Sequence, residues 1–356
     1  MEILIIKTGA MGDVLRTTSI LPGLIKLHPG ARITWLTAKG SEDLLRARPE
    51  LVRVLSLDLE KPGALKRVGA ELARTRWERV LSFDDERAMC ELATSLAEDA
   101  SAISGALVRP DRSLGYSPDT EPWFGMGLLS EHGKEEADRL KLCNRESHPA
   151  IFARMLGLEP GRATLDIGEE AQRFAAQFAQ EHNLHESPPL IGLNTGAGGR
   201  WVSKRLPVER TVALVHELHE RLKAAQPPSF LLLGGPREAE RNQAIRAGLS
   251  SEIRCLDAGS KHSILNFAGL IAQLDLMITS DSLGLHLAVA ARVPVVAFFA
   301  PTSPAEIEIY GLGEKVVSES PDAGSYRPDV DISSLTVERL ADACLRVLAA
   351  RVSAAD

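Results

Sequence analysis

Met1-Glu2-Ile3-Leu4-Ile5-Ile6-Lys7-Thr8-Gly9-Ala10-Met11-Gly12-Asp13 opens the chain, and its reading decides the fold. Glu2 to Lys7 make a short apolar run of strand length, while Val14 to Leu27 carry apolar residues at helical spacing. Lys7 to Asp13 are therefore a strand-to-helix crossover, and Asp13 falls in that crossover or in the first helical turn. Gly9 and Gly12 let backbone approach a ligand closely. A nucleotide-handling enzyme puts a carboxylate at such a point as a catalytic base. A carboxylate that only caps the helix is the alternative that this segment, taken alone, leaves open.

The same alternation continues to the other end. Strands are expected at Ile3 to Lys7, Arg32 to Leu36, Arg53 to Leu57 and Arg79 to Phe83, with helices such as Leu65 to Trp77 and Arg87 to Ala97 between them. A second set follows at Leu190 to Asn194, Ser229 to Leu233, Ile253 to Leu256, Leu276 to Thr279 and Val293 to Phe299. Strands that alternate with helices make parallel sheets with crossovers, so the fold class is α/β with two doubly wound, Rossmann-like units. Lys134 to Leu156 reads as helical, and Gly157-Leu158-Glu159-Pro160-Gly161 as the linker. The domains expected are an N-terminal one over 1–160, a C-terminal one over 161–335 and a terminal helix over 336–356 that crosses back to the first domain. The aromatic segment Gly115 to Gly127 is too irregular for a helix, and it lines a cleft or packs beneath one.

Composition narrows the function. The chain has 356 residues, long for one core, and 44% of them are hydrophobic with balanced charges, as in a globular protein. A formal net charge of -7 argues against a nucleic-acid partner, which needs a basic surplus against phosphates. No apolar run reaches the length of a membrane span and no leader precedes the first strand, so the expected location is the cytoplasm, with peripheral contact at the inner membrane face. The four cysteines are scattered, with no Cys-x-x-Cys pair, and the histidine pairs His182/His185 and His216/His219 sit in polar helices where solvated surface side chains are expected. No metal site and no cofactor is predicted. Asp329-Val330-Asp331 precedes the last helix, where a turn role fits better than chelation.

Three further stretches carry chemistry. After the strand at Leu276, Asp281-Ser282 opens a small-residue helix whose backbone N–H groups suit a diphosphate, with Gly284 in its first turn and His286 within reach of the same ligand; helix capping by Asp281 and Ser282 is the plainer reading. After the strand at Leu190, Asn194-Thr195-Gly196-Ala197-Gly198-Gly199-Arg200 is a glycine-rich loop able to wrap phosphates, and Lys204 supplies a cation nearby, unless it is simply a solvated lysine. After the strand at Ser229, Gly234-Gly235-Pro236-Arg237-Glu238 ends in a carboxylate placed to accept hydrogen bonds from ribose hydroxyls; Glu240 is the neighbouring candidate, and a response to the helix dipole is the simpler role.

The opening MEILIIKTGAMGDVLRTTSILPGL resembles the start of the ADP-heptose:lipopolysaccharide heptosyltransferases, glycosyltransferase family 9, in which an aspartate at this place is taken as the catalytic base. Asp281, Ser282 and His286 match the spacing of the family's donor motif, and Ala300-Pro301-Thr302-Ser303-Pro304 its downstream turn, with a departure at Leu283 and Gly284, where the family has glycine before leucine. Lys204-Arg205-Leu206-Pro207 is similar to the family's Lys-Arg/His-Trp-Pro, with Leu206 in place of tryptophan. Glu238 matches the ribose-binding glutamate, and Lys261-His262-Ser263 falls where the family contacts the base, so that His262 would stack there. These elements stand in family order, and the resemblance is weakest from Gly63 to Ala150.

What the resemblance implies is a GT-B glycosyltransferase, two Rossmann-like domains facing each other across a cleft that is the active site. It would use a nucleotide-sugar donor, ADP-heptose by family, and a glycan or glycolipid acceptor. Asp13 would take the acceptor proton in an inverting displacement while Lys204, the amides near Ser282 and Gly284, and His286 stabilise the departing diphosphate, with Thr195 and Gly196 completing the donor site. The basic residues among Asp58 to Arg79 are largely offset by acidic ones, so an envelope glycan other than the lipopolysaccharide core is a second expectation for the acceptor. The alternatives are a noncatalytic nucleotide-sugar-binding protein and a nicotinamide-dependent oxidoreductase, the latter lacking a Gly-x-Gly-x-x-Gly fingerprint after the first strand.

Overall fold

The computed structural model describes residues 1–198 and 201–355, with side chains as far as residue 351. The chain divides into two compact units, Met1–Asp166 and Ile167–Asp356. In the first unit, strands β1 (Glu2–Ile6), β2 (Arg32–Ala38), β3 (Leu51–Leu57), β4 (Arg79–Ser82), β5 (Ile103–Val108) and β6 (Leu114–Tyr116) form one sheet in the order β3-β2-β1-β4-β5-β6. All neighbours are parallel except β5 and β6. The second unit repeats the plan: β7 (Leu190–Asn194), β8 (Ser229–Leu233), β9 (Cys255–Asp257), β10 (Leu276–Ser280), β11 (Val295–Phe299) and β12 (Gly313–Val317), in the order β12-β11-β10-β7-β8-β9.

Both sheets are covered on their two faces, which explains why their central strands are apolar throughout. In β1, Ile3 and Ile5 join a core with Trp35, Leu81 and Phe152, while Leu4 and Ile6 join another with Trp77, Val80 and Met89. In the second unit Ile191, Phe230, Leu276 and Val296 pack with Leu214 and Leu218 of the helix Val208–Leu222. The last helix, Val337–Ala355, buries its stripe of Leu340, Ala341, Cys344 and Val347 in this same core.

Local differences have local causes. The run Val14 to Leu27 is two helices, Met11–Thr17 and Leu21–Leu27, joined by a 3-10 turn at Thr18–Ile20, because Pro22 suits a helix start and not an interior. Lys134 to Leu156 also splits, into Lys134–Cys143 and His148–Leu156, with Pro149 in the first turn of the second helix. The aromatic segment is more regular than its composition suggests: β6 pairs antiparallel with β5, and a one-turn helix spans Glu121–Phe124. Strand β5 was absent from the sequence reading because Gly105 interrupts its pattern. The structure requires that glycine, since its φ is +128° and a Cβ would stand 1.9 Å from the Ser82 carbonyl oxygen.

Candidate functional site

Strand order reverses in the second unit at the neighbouring strands β10 and β7. In an open parallel sheet the crevice beyond the carboxyl ends of such a pair is where ligands bind. The two loops that line it are those read from sequence. Asn194, at the end of β7, ties them together: its Nδ2 donates to Gly196 O at 3.1 Å, to Thr279 Oγ1 at 3.0 Å and to Ser282 Oγ at 2.9 Å. Ser282 is extended and leads into the helix Leu283–Ala290, and its hydroxyl serves Asn194 and not the helix cap. Gly284 fits under this junction, because a Cβ there would lie 2.9 Å from Met277 Cε and 3.0 Å from Asn194 Nδ2.

Charge converges on the same crevice. Lys204, at the end of the 3-10 turn Val202–Lys204, places Nζ 3.1 Å from Asp281 Oδ2, and both side chains are 15% exposed. His286 Nε2 stands 3.7 Å from Asp281 Oδ1. The cation, the carboxylate and the imidazole therefore form one cluster, so Lys204 is not the solvated lysine of the plainer reading. A diphosphate entering here would attract Lys204 and repel Asp281, exchanging one partner of the ammonium for another. The carboxylate, an acceptor, suits sugar hydroxyls.

Glu238 belongs to the same surface. It lies at the end of the second strand of its sheet, the topological place of a ribose-binding acid. Buried, it accepts the Gly235 N–H on Oε2 at 2.9 Å, whereas Glu240 is exposed. Its other face abuts Gly196, where a Cβ would meet Oε1 at 2.1 Å. Thr195 is turned inward: its hydroxyl donates to Asn242 Oδ1 at 2.5 Å, and its amide to Leu233 O at 3.2 Å. It shapes the loop from beneath. His262 donates from Nε2 to Ala258 O at 2.6 Å and packs on Phe174 at 5.4 Å between ring centroids, at the end of β9. Gly199 and Arg200 lie outside the described residues.

The first unit has an analogous switch point at β1 and β4. Asp13 is in the first turn of the helix Met11–Thr17, whose N-cap residue is Ala10. Its carboxylate is 38% exposed and meets Arg16 Nη2 at 2.9 Å, and the Arg16 guanidinium lies 5.5 Å from the Trp123 ring centroid. Trp123 in turn packs edge-on against His148 and Phe152, so this part of the aromatic segment supports the Asp13–Arg16 pair. Gly12 is the second residue of the helix, and at Gly9 a Cβ would meet nothing within 4 Å.

Sequence reasoning missed three residues that shape these corners. Asp84, after β4, is buried and holds the first crossover through Lys7 Nζ at 2.7 Å, Thr8 N at 2.5 Å and Thr8 Oγ1 at 2.7 Å. Arg241 donates from Nε to Thr195 O at 2.8 Å and from Nη2 to Leu206 O, and burial holds its pKa down. Asn194 was read as a loop residue and not as the joint it is. His219 is buried rather than solvated. Asp331 accepts from the backbone and hydroxyl of Ser333, as the turn reading required. Among the described residues no three of His, Cys, Asp and Glu gather as metal ligands, and no helix is long and apolar enough to cross a membrane.

Residues 143–327, which carry all the second-unit loops above, match the model of glycosyltransferase family 9 (heptosyltransferase). A lipopolysaccharide heptosyltransferase 1 of Pseudomonas aeruginosa is 23% identical over 325 residues, covering 88% of this chain and 82% of that protein. A glycosyltransferase family 9 structure from Veillonella parvula superposes with a TM-score of 0.76 at 21% identity, covering 98% of this chain and 97% of that one. An E. coli heptosyltransferase solved with ADP gives a TM-score of 0.62 at 20% identity, over 98% of this chain and 100% of that one.

Proposed function

The chain belongs to glycosyltransferase family 9 and is a glycosyltransferase of GT-B fold, and from that premise we propose that it transfers heptose from ADP-heptose to a hydroxyl of a lipopolysaccharide core or a related envelope glycan. The observation that carries the reading is the cluster of Lys204, Asp281 and His286 at the β7/β10 switch point, with Glu238 at the end of β8. It offers a cation for the diphosphate, an acceptor for the sugar and a carboxylate for the ribose. The ADP bound to the E. coli relative accords with this choice of donor.

The reaction is an inverting displacement. The bond between the anomeric carbon and the diphosphate oxygen breaks as the acceptor oxygen attacks from the opposite side, and the acceptor proton passes to Asp13. Lys204, the amides near Ser282 and Gly284, and His286 take up the charge that develops on the departing ADP. Asp13 belongs to the first unit and the donor loops to the second, so the two roles are separable by mutation. Asp13→Asn is expected to lower kcat by at least about 10²-fold, the range of a general base, while calorimetry shows unchanged ADP affinity. Retained turnover would remove Asp13 from the role of base.

An enzyme acting on a lipid-linked glycan works at the membrane face, and peripheral attachment there is part of the proposal. Sedimentation with anionic vesicles tests it. The nicotinamide-dependent alternative has no support in the family, and a noncatalytic binder is answered by the same Asp13→Asn assay.

A further inference from the structure

Lys204 is held by a bracket that the donor motifs do not include. The Trp201 ring lies beneath its ammonium, with Nζ 5.6 Å from the ring centroid, and Tyr326 meets the edge of that ring at 5.9 Å. Tyr326 is itself fixed: its hydroxyl donates to the buried Glu306 at 2.8 Å, and its amide donates to Pro301 O at 2.6 Å. Its φ of +61° is one a bulky residue adopts only when its surroundings impose it. A second strap runs in parallel, from Ser203 Oγ to Pro328 O at 2.7 Å. The turn that carries Lys204 is thus fastened to the segment after β12, and that segment to the turn after β11.

A lysine has four rotatable bonds and loses much freedom when fixed, so an ammonium meant to meet a diphosphate gains from being held in place before the ligand arrives. An aromatic face does this without adding a competing anion. We infer that Trp201 and Tyr326 are positioning residues that hold the Lys204 ammonium at the β7/β10 crevice for the donor diphosphate. The inference rests on the donor-site reading of Lys204 given above.

A double-mutant cycle on the whole chain, with ADP as the calorimetric probe, tests it. Trp201→Leu is expected to weaken ADP binding about tenfold, the scale of one desolvated cation–π contact. Trp201→Phe, which keeps an aromatic face, restores part of the loss. Tyr326→Phe, which removes only the hydrogen bond to Glu306, weakens binding about threefold. In the Lys204→Ala background each of these changes should alter affinity by less than about twofold, because the group they act through is gone. A merely structural role would lower Tm and keep its full effect on ADP affinity in that background, and this outcome overturns the inference. If Trp201→Leu does not fold, Tyr326→Phe completes the same cycle. Should Lys204→Ala itself leave ADP binding unchanged, the donor role of Lys204 fails and the bracket's role falls with it.

Discussion

Gly9 and Gly196 both follow the first strand of a parallel sheet, yet the structure asks different things of them. At Gly196 a Cβ would overlap the Glu238 carboxylate, so Gly196→Ala must push aside a buried side chain. It should cost about 1–3 kcal/mol of stability and weaken ADP binding, read by denaturant midpoint and calorimetry. At Gly9 a Cβ meets open space, and Gly9→Ala should change stability by less than about 0.5 kcal/mol. Its effect, if Gly9 leaves room for the acceptor, appears as a raised acceptor KM alone. From sequence both glycines read as ligand-side residues, Gly9 as allowing close approach and Gly196 as part of a loop that wraps phosphates. What separates them is Glu238, forty-two residues from Gly196 in the chain and on another strand's end. The residues visible in sequence were those whose type is chemically unusual for their place, such as Asp13, Lys204 and Asp281. Asn194, Asp84 and Arg241 were hidden because their work is to join loops that only the sheet order brings together.

Elements with one consistent signal were legible in sequence. Leu190–Asn194 and Ser229–Leu233 stand where the apolar runs put them, each unbroken between turn residues. Those missed were diluted. Strand β5 carries Ser104 and Gly105, and the edge strand β12 carries Glu314 and Lys315, whose charges suit an edge but erase the apolar pattern. The tie between β1 and β4 is likewise invisible in sequence, since Asp84-Asp85-Glu86 reads as a polar turn. Asp84→Ala should cost about 3 kcal/mol, because it leaves Lys7 and the Thr8 amide without their buried partner. Chemical denaturation measures the loss, and transfer activity should fall with it as the crossover carrying Asp13 loses its anchor.

Across the whole molecule, two sheets of the same strand order each carry charged groups at their switch point, the Asp13–Arg16 pair on the first and the Lys204–Asp281 pair on the second. Their thiols report on each core. Burial pushes the Cys90 thiol up to about 11 and the Cys255 thiol up to about 12, and raises Cys344 as well, so all three stay protonated and unreactive at neutral pH. Cys143 is exposed. Native protein should therefore take up one equivalent of a thiol reagent rapidly and the other three only on unfolding, counted by mass spectrometry; rapid labelling of Cys344 would contradict the packing of the last helix. Calorimetric titration of the full chain with ADP, GDP, UDP, dTDP and NAD, repeated with Lys204→Ala and Asp281→Ala, decides whether the second unit's switch-point cluster is the ADP-sugar site we propose. Selective binding of ADP that is lost or weakened in Lys204→Ala is the predicted result, whereas binding of NAD alone, or ADP binding indifferent to both substitutions, would contradict it.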